Sequence, residues 1–287
     1  MAKNPSVVRR LGALQSKVAA WRATGERIAL VPTMGALHEG HLALVQLATR
    51  RAARTLVSIF VNPTQFAPNE DYARYPRDQR GDLAKLAPLG VDLVFVPSAA
   101  LMYPEGFATS VHVAGPAEAG LEDKYRPHFL GGVATVVCKL LTQCRPDIAV
   151  FGEKDYQQLL VVRRMARDLD LGVQIVGAKT VREADGLALS SRNAYLDAGE
   201  RAIAPGLNAA LRDAARRIAA GGDVESIMAA ARAGLTRMGF RVDYVEARNA
   251  ETLAPISEPR REPIRLLAAA WLGRTRLIDN IPVGTKS

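Results

Sequence analysis

The sequence is poor in residue types that carry many kinds of enzyme chemistry: it holds two cysteines and four histidines among 287 residues. Cys138 and Cys144 lie six positions apart, which matches no common zinc-ligand spacing, so we expect two reduced thiols. Aromatic residues make up only 6% of the chain, and no aromatic-rich basic block accompanies its net charge of +9. We therefore predict no nucleic-acid partner and interpret the positive charge as a solvated surface that favours anionic substrates.

Long apolar runs are also missing. Segments such as Leu266–Leu272 are too short to cross a bilayer, and the first ten residues lack the apolar core of a secretory signal. With 48% hydrophobic and 23% charged residues, the composition is that of an ordinary folded globular protein. We expect a cytoplasmic protein without a membrane partner.

Three common signature sequences are absent. The stretch from Gly172 to Thr180 approaches a phosphate-binding GxxxxGK[ST] loop, but Ala178 stands between Gly177 and Lys179 and misplaces the lysine. The chain has neither the GxGxxG of dinucleotide-binding dehydrogenases nor the GxSxG of serine hydrolases. These three classes of enzyme are therefore not favoured.

The hydrophobic pattern predicts two domains. Up to about Arg182, helix-like segments separate strands predicted at Ile28–Val31, Thr55–Val61, Val91–Val96, Asp147–Phe151 and Val173–Val176. This alternation is typical of an α/β fold with a parallel sheet and crossover helices, here in residues 1–182. Residues 183–287 are predicted to form a smaller α+β domain with helices at Ala198–Ala220 and Val224–Met238 and strands at Arg241–Ala247, Ile264–Trp271 and Thr275–Asp279.

The most informative stretch runs from Val31 to His41 and reads VPTMGALHEGH. It joins a predicted strand to the start of a helix, where free backbone N–H groups and the helix dipole attract an anion such as a phosphate chain. Gly35 and Gly40 allow close approach, and His38 and His41 lie on one face once the helix has begun. The alternative is that the two histidines only cap the helix or lie on the surface.

Two more segments carry polar groups suited to small anionic substrates. The segment FVNPTQ, which contains Asn62 and Gln65, ends the second predicted strand in amides that can both donate and accept hydrogen bonds. The segment DGLALSSRN lies between the predicted domains and offers paired serine hydroxyls and the guanidinium of Arg192. Taken alone, Asn-Pro is an ordinary turn signal and Ser-Ser-Arg is weak evidence.

The segment FGEKDYQQ is the third polar strand end. Gly152 permits close approach of a ligand, Asp155 is expected to cap the next helix, and Lys154 can neutralise charge developing on a phosphate. Gln158 follows one turn after Lys154 and could face the same pocket. The competing interpretation makes Lys154 a solvated surface lysine.

In this order, the HxGH turn, FVNPxQF, FGEKDxQQ and LSSRN resemble the pantothenate synthetase family over essentially the whole chain. The resemblance implies an HxGH nucleotidyltransferase relative with a Rossmann-like domain, a cytoplasmic homodimer, and the substrates pantoate, β-alanine and ATP. It also implies Mg²⁺ bound through ATP, with no direct protein ligand. The implied reaction forms pantothenate, AMP and pyrophosphate through a pantoyl-adenylate.

The family pattern also implies roles for individual positions. The ATP-binding set would be Met34, Gly35, Ala36, Leu37, His38, Glu39, Gly40, His41, Gly152, Glu153, Lys154, Asp155, Val181, Leu189, Ser190, Ser191 and Arg192. Within it the family pattern makes His41 the catalytic histidine, usually described as a proton donor. His38, Lys154, Ser190, Ser191 and Arg192 are our further candidates for the catalytic set, because they can meet charge that develops on the phosphates. Gln65 and Gln158, with Asn62 and Tyr75 nearby, would bind pantoate and β-alanine. A helix N-terminus disfavours a charged imidazole, whereas a nearby triphosphate favours one. That His41 acts as a neutral donor rather than as an acid is our hypothesis.

One segment departs from the family pattern, and two other functions stay open. Many relatives carry HFRGV where this chain reads HFLGGV from His128 to Val133, so the expected arginine is missing and no role is assigned to His128. The first alternative function is a nucleotidyltransferase that transfers a nucleotidyl group to a phosphorylated acceptor without ligation. The second is an RNA-binding module that uses the positive charge.

Overall fold

The computed structural model describes residues 4–67 and 70–284. The chain divides into two compact units, unit 1 with Met1–Glu153 and Gln158–Lys179, and unit 2 with Lys154–Gln157 and Thr180–Ser287. The short segment Lys154–Gln157 therefore belongs with the C-terminal unit although it lies between two parts of unit 1. That 1–182 and 183–287 are separate domains stays a prediction.

Unit 1 is built around a parallel sheet. In the described residues its strands are β1 (Ser6–Val8), β2 (Ile28–Thr33), β3 (Arg54–Ile59), β4 (Leu93–Phe95), β5 (Ile148–Gly152) and β6 (Gln174–Ala178). The strand order is β1-β4-β3-β2-β5-β6, and every neighbouring pair is parallel. The α-helices along this part of the chain are α1 (Leu11–Ala23), α2 (Glu39–Thr49), α3 (Gln79–Leu86), α4 (Ala99–Met102), α5 (Glu122–Tyr125), α6 (Phe129–Cys144) and α7 (Tyr156–Asp168).

The sheet is apolar on both faces, as crossover helices require. Ile28 and Leu30 of β2 pack into one hydrophobic cluster, while Ala29 and Val31 pack into another, because successive side chains of a strand point to opposite faces. All four side chains are fully buried. Full burial of an aliphatic side chain contributes about 1.5–3 kcal/mol, so this alternation stabilises both layers.

Unit 2 has an antiparallel sheet of three strands in the order β7-β8-β9, namely β7 (Arg241–Asn249), β8 (Ile264–Leu272) and β9 (Thr275–Pro282). Its helices are α8 (Ala198–Ile203), α9 (Gly206–Ala219) and α10 (Val224–Arg237). Leu211 of α9, Ile227 of α10 and Leu266 of β8 share one hydrophobic core. The predicted α/β parallel sheet with a smaller α+β domain is confirmed.

Element boundaries differ from the sequence-based ones in two instructive places. The predicted strand Thr55–Val61 is Arg54–Ile59 and so ends two residues earlier, although the N–H of Phe60 still donates to the carbonyl of Thr33 at 3.0 Å. The predicted helix Ala198–Ala220 is broken into α8 and α9 at Pro205, which has no N–H to donate within a continuous helix. Cys138 and Cys144 are both free thiols, as expected. None of the helices in the described residues combines the length and apolar character that a membrane crossing requires.

Candidate active site

Three of the four polar motifs follow strands that are direct neighbours in the sheet. The HxGH turn follows β2, the NPTQ turn follows β3, and Gly152-Glu153 ends β5, while the order at the centre of the sheet is β3-β2-β5. Ligands of open parallel sheets bind at the carboxyl ends of the strands. The topology of unit 1 therefore gathers these segments at the edge where a ligand site is expected.

The two histidines of the HxGH turn cap helix α2. His38 is the N-cap residue, and its Nδ1 accepts the N–H of Gly40 at 3.1 Å. The Nδ1 of His41 accepts the N–H of His38 at 3.4 Å, and the two ring centroids are 4.1 Å apart. An imidazole nitrogen that accepts a hydrogen bond carries no proton, so each neutral ring holds its proton on Nε2. Both rings can therefore donate through Nε2 at the positive end of the helix dipole.

The backbone amides of this turn correct one sequence-based expectation. The N–H of Gly35 donates to Thr33 Oγ1 at 3.2 Å, and those of Ala36 and Leu37 donate to the carboxylate of Asp82 at 3.0 and 2.7 Å. With the two bonds at His38 and Gly40, these amides are used inside the protein and are not free for a phosphate. The ATP assignment of this turn stays a prediction that rests on its position, its imidazoles and the helix dipole.

The turn has an uncommon backbone. Gly35 has φ 80° and Ala36 has φ 51°, so two successive residues are left-handed. For alanine this conformation costs about 1–2 kcal/mol. The two hydrogen bonds that Asp82 accepts from the N–H groups of Ala36 and Leu37 offset this cost, and Asp82 is 2% exposed. Burial raises the pKa of Asp82, and the two amide hydrogen bonds act in the opposite direction.

Gln65 joins the NPTQ turn to the HxGH turn. It ends a short 3₁₀ turn, Pro63–Gln65, and its Nε2 donates to the sulfur of Met34 at 2.9 Å. Its Oε1 accepts from Asn62 Nδ2 at 3.2 Å. The structure thus brings three sequence-predicted site residues together, and the contact to Asn62 fixes which end of the Gln65 amide donates.

Asn62 is 1% exposed, and its amide is bonded within the protein. Its Nδ2 donates to the carbonyl of Gly132 at 3.2 Å, and its Oδ1 accepts from Tyr103 Oη at 2.7 Å and from Thr64 Oγ1 at 3.0 Å. Burial raises the pKa of Tyr103, whereas its bonds to Thr64 and Asn62 act in the opposite direction. Asn62 is thus placed to orient Gln65. Its expected role near the substrates stays a prediction.

The segment His128–Val133, which departs from the family pattern, packs directly on the NPTQ turn at the start of α6. A Cβ at Gly132 would overlap the carbonyl group of Thr64, whose carbon would lie 2.7 Å away, so any other residue there requires a shift of the backbone. Just upstream, Arg126 donates to the carbonyl of Gln65 at 3.2 Å and to Glu70 at 2.7 and 2.8 Å, and its guanidinium lies 3.9 Å from the ring of Phe129. Arginine is thus present at this turn, although not at the position that the family pattern predicts.

Three further predicted site residues lie in unit 1. Tyr75 is buried and packs edge-on against Phe66, with ring centroids 5.9 Å apart. Glu153 and Gln158 are half-buried, Glu153 in a 3₁₀ turn after β5 and Gln158 in α7. The roles of these residues in binding substrates stay predictions.

In unit 2, the segment Lys154–Gln157 is anchored on the antiparallel sheet. The carbonyl of Lys154 accepts from Asn280 Nδ2 at 2.8 Å. The hydroxyl of Tyr156 donates to the carbonyl of Ala250 at 2.8 Å, and the guanidinium of Arg265 lies 4.1 Å from the Tyr156 ring. Asp155 lies in the 3₁₀ turn Glu153–Asp155, which leads into α7. The backbone at Lys154 is therefore held by the C-terminal unit.

The Ser-Ser-Arg loop of unit 2 also makes several local contacts. Ser190 caps a 3₁₀ turn, Ser191–Tyr195, by accepting the N–H of Arg192 at 3.3 Å. The N–H of Leu189 donates to the carbonyl of Val181 at 3.0 Å. Arg201 pairs with Glu183 at 2.5 Å and with Asp185 at 2.6 Å, and the hydrogen bond from Arg201 lowers the pKa of Asp185. The loop therefore holds Ser190, Ser191 and Arg192 in a defined backbone.

Sequence reasoning missed the residues that support the site. Asp82, Tyr103, Arg126 and Gly132 each act on a motif through a hydrogen bond that spans at least 41 positions, and no local pattern announces such a contact. The sequence did offer one signal, the pair Gly131-Gly132 in the first turn of an apolar helix. A glycine in a helix interior costs about 0.5–1 kcal/mol relative to alanine, so it indicates close packing or function.

Known proteins that are similar to this chain belong to the family that its motifs resemble. A family model described as pantoate-beta-alanine ligase matches residues 6–282. A pantothenate synthetase of Bradyrhizobium sp. strain BTAi1 is 58% identical over 283 residues, covering 99% of this chain and 100% of that protein. One from Rhodopseudomonas palustris strain CGA009 is 59% identical over the same shares of both chains.

Two solved structures are similar over nearly their full length. The pantothenate synthetase of Thermus thermophilus superposes with a TM-score of 0.90 at 47% identity, covering 96% of this chain and 98% of that one. The pantoate-beta-alanine ligase of Francisella tularensis, solved with beta-gamma ATP and beta-alanine, gives a TM-score of 0.80 at 32% identity and covers 98% and 99%.

Proposed function

The chain belongs to the pantoate–β-alanine ligase family, and from this premise we propose how its own residues perform that family's reaction. The enzyme condenses pantoate with β-alanine. The alternative of nucleotidyl transfer without ligation is not favoured, because close full-length relatives are pantothenate synthetases. The sequence-based family assignment is confirmed.

The triphosphate of ATP is proposed to bind at the start of α2. The observation that carries this proposal is the pair of capping contacts in which both His38 and His41 accept backbone N–H groups at Nδ1. Each ring then presents an N–H donor from Nε2 without a full charge, at the positive end of the helix. ATP as a substrate is supported by the relative solved with beta-gamma ATP.

Pantoate and β-alanine are proposed to bind beside Gln65. Its carbonyl oxygen is held by Asn62 and its NH₂ group points to Met34, next to the HxGH turn. The amide therefore offers a donor to a carboxylate or hydroxyl group on the side where ATP is proposed to lie. Gln158 and Tyr75 complete this part of the proposal.

The reaction proceeds in two displacements. The pantoate carboxylate attacks the α-phosphorus of ATP and pyrophosphate leaves; the β-alanine amine then attacks the acyl carbon, AMP leaves, and the amine releases a proton. Both steps develop negative charge on phosphate oxygens. We assign the stabilisation of this charge to His38, His41, Lys154, Ser190, Ser191 and Arg192, because fixed donors and cations aimed at developing charge lower a barrier most.

Mg²⁺ and the assembly state belong to the proposal as well. In the described part of the chain, no three or more His, Cys, Asp or Glu side chains cluster so as to hold a metal ion. Mg²⁺ commonly binds through substrate phosphates with few protein ligands, so the ATP triphosphate is its proposed carrier, where it would neutralise phosphate charge. A homodimer remains an expectation from the family resemblance, and a cytoplasmic location remains an expectation from the sequence.

Replacing a single hydrogen-bond donor, either His41 or Lys154, tests the proposed ATP site. His41→Ala and Lys154→Ala should each reduce kcat about a hundredfold or more, the size of effect seen when one preorganised donor is removed. Pyrophosphate release with pantoate and ATP reports the first step, and β-alanine-dependent AMP release reports the second. His112→Ala and Lys179→Ala are matched controls, because both side chains are exposed. A loss below about threefold in either site variant would refute its assignment.

A further inference from the structure

Two side chains of helix α3 hold the HxGH turn. The two oxygens of Asp82 accept separate amides, Oδ2 from Ala36 at 3.0 Å and Oδ1 from Leu37 at 2.7 Å. One helical turn later, Lys85 Nζ donates to the carbonyl of Leu37 at 2.5 Å. Leu37 is therefore held at both its N–H and its carbonyl immediately before the N-cap His38.

The contacts from α3 stabilise the part of the turn with the least favourable backbone conformation. Gly35 and Ala36 are both left-handed, and two amides in such a turn form a concavity that binds anions. Here the anion is the buried carboxylate of Asp82. A Cβ on Gly35 would lie 2.9 Å from Asp82 Oδ2, so the turn and the carboxylate are packed against each other.

We propose that Asp82 is a positioning residue for the reaction: its carboxylate fills the amide concavity of Ala36 and Leu37 and thereby fixes the backbone that sets the His38 and His41 rings. The triphosphate is excluded from that concavity and is directed to the helix start and the ring Nε2 atoms. Lys85 assists from the exposed side of α3. This inference rests on the proposed placement of ATP at the turn.

Asp82→Asn is the main test, because the variant keeps the size of the side chain but turns an NH₂ group toward one of the two amides. We expect kcat for pantoate-dependent pyrophosphate release to fall at least tenfold, while KM for β-alanine changes less than threefold. In ¹⁵N-histidine-labelled protein the His38 and His41 nitrogen signals should move, because the capping contacts at Nδ1 are disturbed. The signals of His112 and His128 serve as internal references.

Asp78→Ala is the matched control for helix stability. Asp78 caps the same helix by accepting the N–H of Gly81 at 2.9 Å, but its removal leaves the Asp82 carboxylate in place. It should lower thermal stability without moving the His38 and His41 signals. If Asp78→Ala reduces kcat as much as Asp82→Asn does, the effect comes from α3 as a whole and the proposal is overturned.

A second variant decides the matter if Asp82→Asn does not fold. Lys85 is exposed, so Lys85→Met should fold, and we expect it to shift the same histidine signals and to lower kcat about threefold, with Arg80→Met on the same helix as control. Unchanged histidine signals and kcat would overturn the inference. The variant His41→Ala distinguishes failure of this inference from failure of the proposed ATP site. If His41→Ala is inactive while Asp82→Asn is fully active, only the role proposed for Asp82 is wrong. If His41→Ala is active, the proposed ATP site itself is wrong.

Discussion

Replacing Gly132 by alanine should destabilise unit 1, whereas the same change at the neighbouring Gly131 should stabilise it. Both glycines lie in helix α6. A Cβ at Gly132 would lie 2.7 Å from the carbonyl carbon of Thr64 and 2.9 Å from the nitrogen of Gln65, whereas a Cβ at Gly131 has no neighbour within 4 Å among the described residues. The obstructing atoms are backbone atoms, which cannot rotate away as a side chain can.

The magnitude follows from three contributions. Alanine in place of a helical glycine gains about 0.5–1 kcal/mol in both variants. At Gly132 the helix must move by roughly 1 Å to restore ordinary contact distances, and such overpacking costs about 1–3 kcal/mol. The movement also loosens the bond from Asn62 Nδ2 to the Gly132 carbonyl, worth about 1 kcal/mol. We therefore expect Gly132→Ala to lose about 1–3 kcal/mol and Gly131→Ala to gain up to about 1 kcal/mol.

Urea unfolding followed by tryptophan fluorescence measures the difference. The chain has two tryptophans, and a Trp271→Phe background leaves Trp21 of unit 1 as its reporter. Because the NPTQ turn moves with α6, Gly132→Ala should also raise KM for pantoate, while Gly131→Ala should leave it unchanged. Equal stability of the two variants would show that the contact between α6 and Thr64 is not as tight as the structure has it.

The features that could be predicted are those set by local sequence. Alternating apolar and polar segments identified the parallel sheet, because a strand buried on both faces needs an unbroken apolar run such as Ile28–Val31. The motif positions could be placed at strand ends for the same reason. Local periodicity also located the three strands and most of the helices of unit 2.

The supporting contacts could not be predicted, because they join residues far apart in sequence. The expectation of free amides in the HxGH turn failed since Asp82, 45 positions after Leu37, satisfies two of them. Likewise, the assignment of Lys154–Gln157 to unit 2 depends on Ala250 and Asn280, which lie 94 positions after Tyr156 and 126 after Lys154. A single sequence carries the type of each residue but not the partner that completes its hydrogen bonds.

Two further predictions concern the environment of Gln65. Tyr103→Phe removes the 2.7 Å hydrogen bond to Asn62 Oδ1, so KM for pantoate should rise several-fold while KM for ATP stays within twofold. Tyr125→Phe is the control, because Tyr125 is exposed. An unchanged KM for pantoate in Tyr103→Phe would show that Asn62 does not need this hydrogen bond. The second prediction is a pH dependence of stability. Burial raises the pKa of Glu70, but its hydrogen bonds to Arg126 outweigh this and hold the pKa below its ordinary value. A carboxyl group whose pKa is lowered in the folded state stabilises the fold at pH values above its pKa in the unfolded state, which is about 4.3 for glutamate. This contribution is lost as the pH falls through the pKa of the folded state. Wild type should therefore be more stable than Glu70→Gln at pH 7, and the difference in unfolding free energy should shrink below about pH 4. Urea unfolding at pH 7 and below about pH 4 measures this difference in unfolding free energy, with Glu105→Gln at an exposed position as the control. A difference that is the same at the two pH values would mean that the charge of Glu70 does not stabilise the turn.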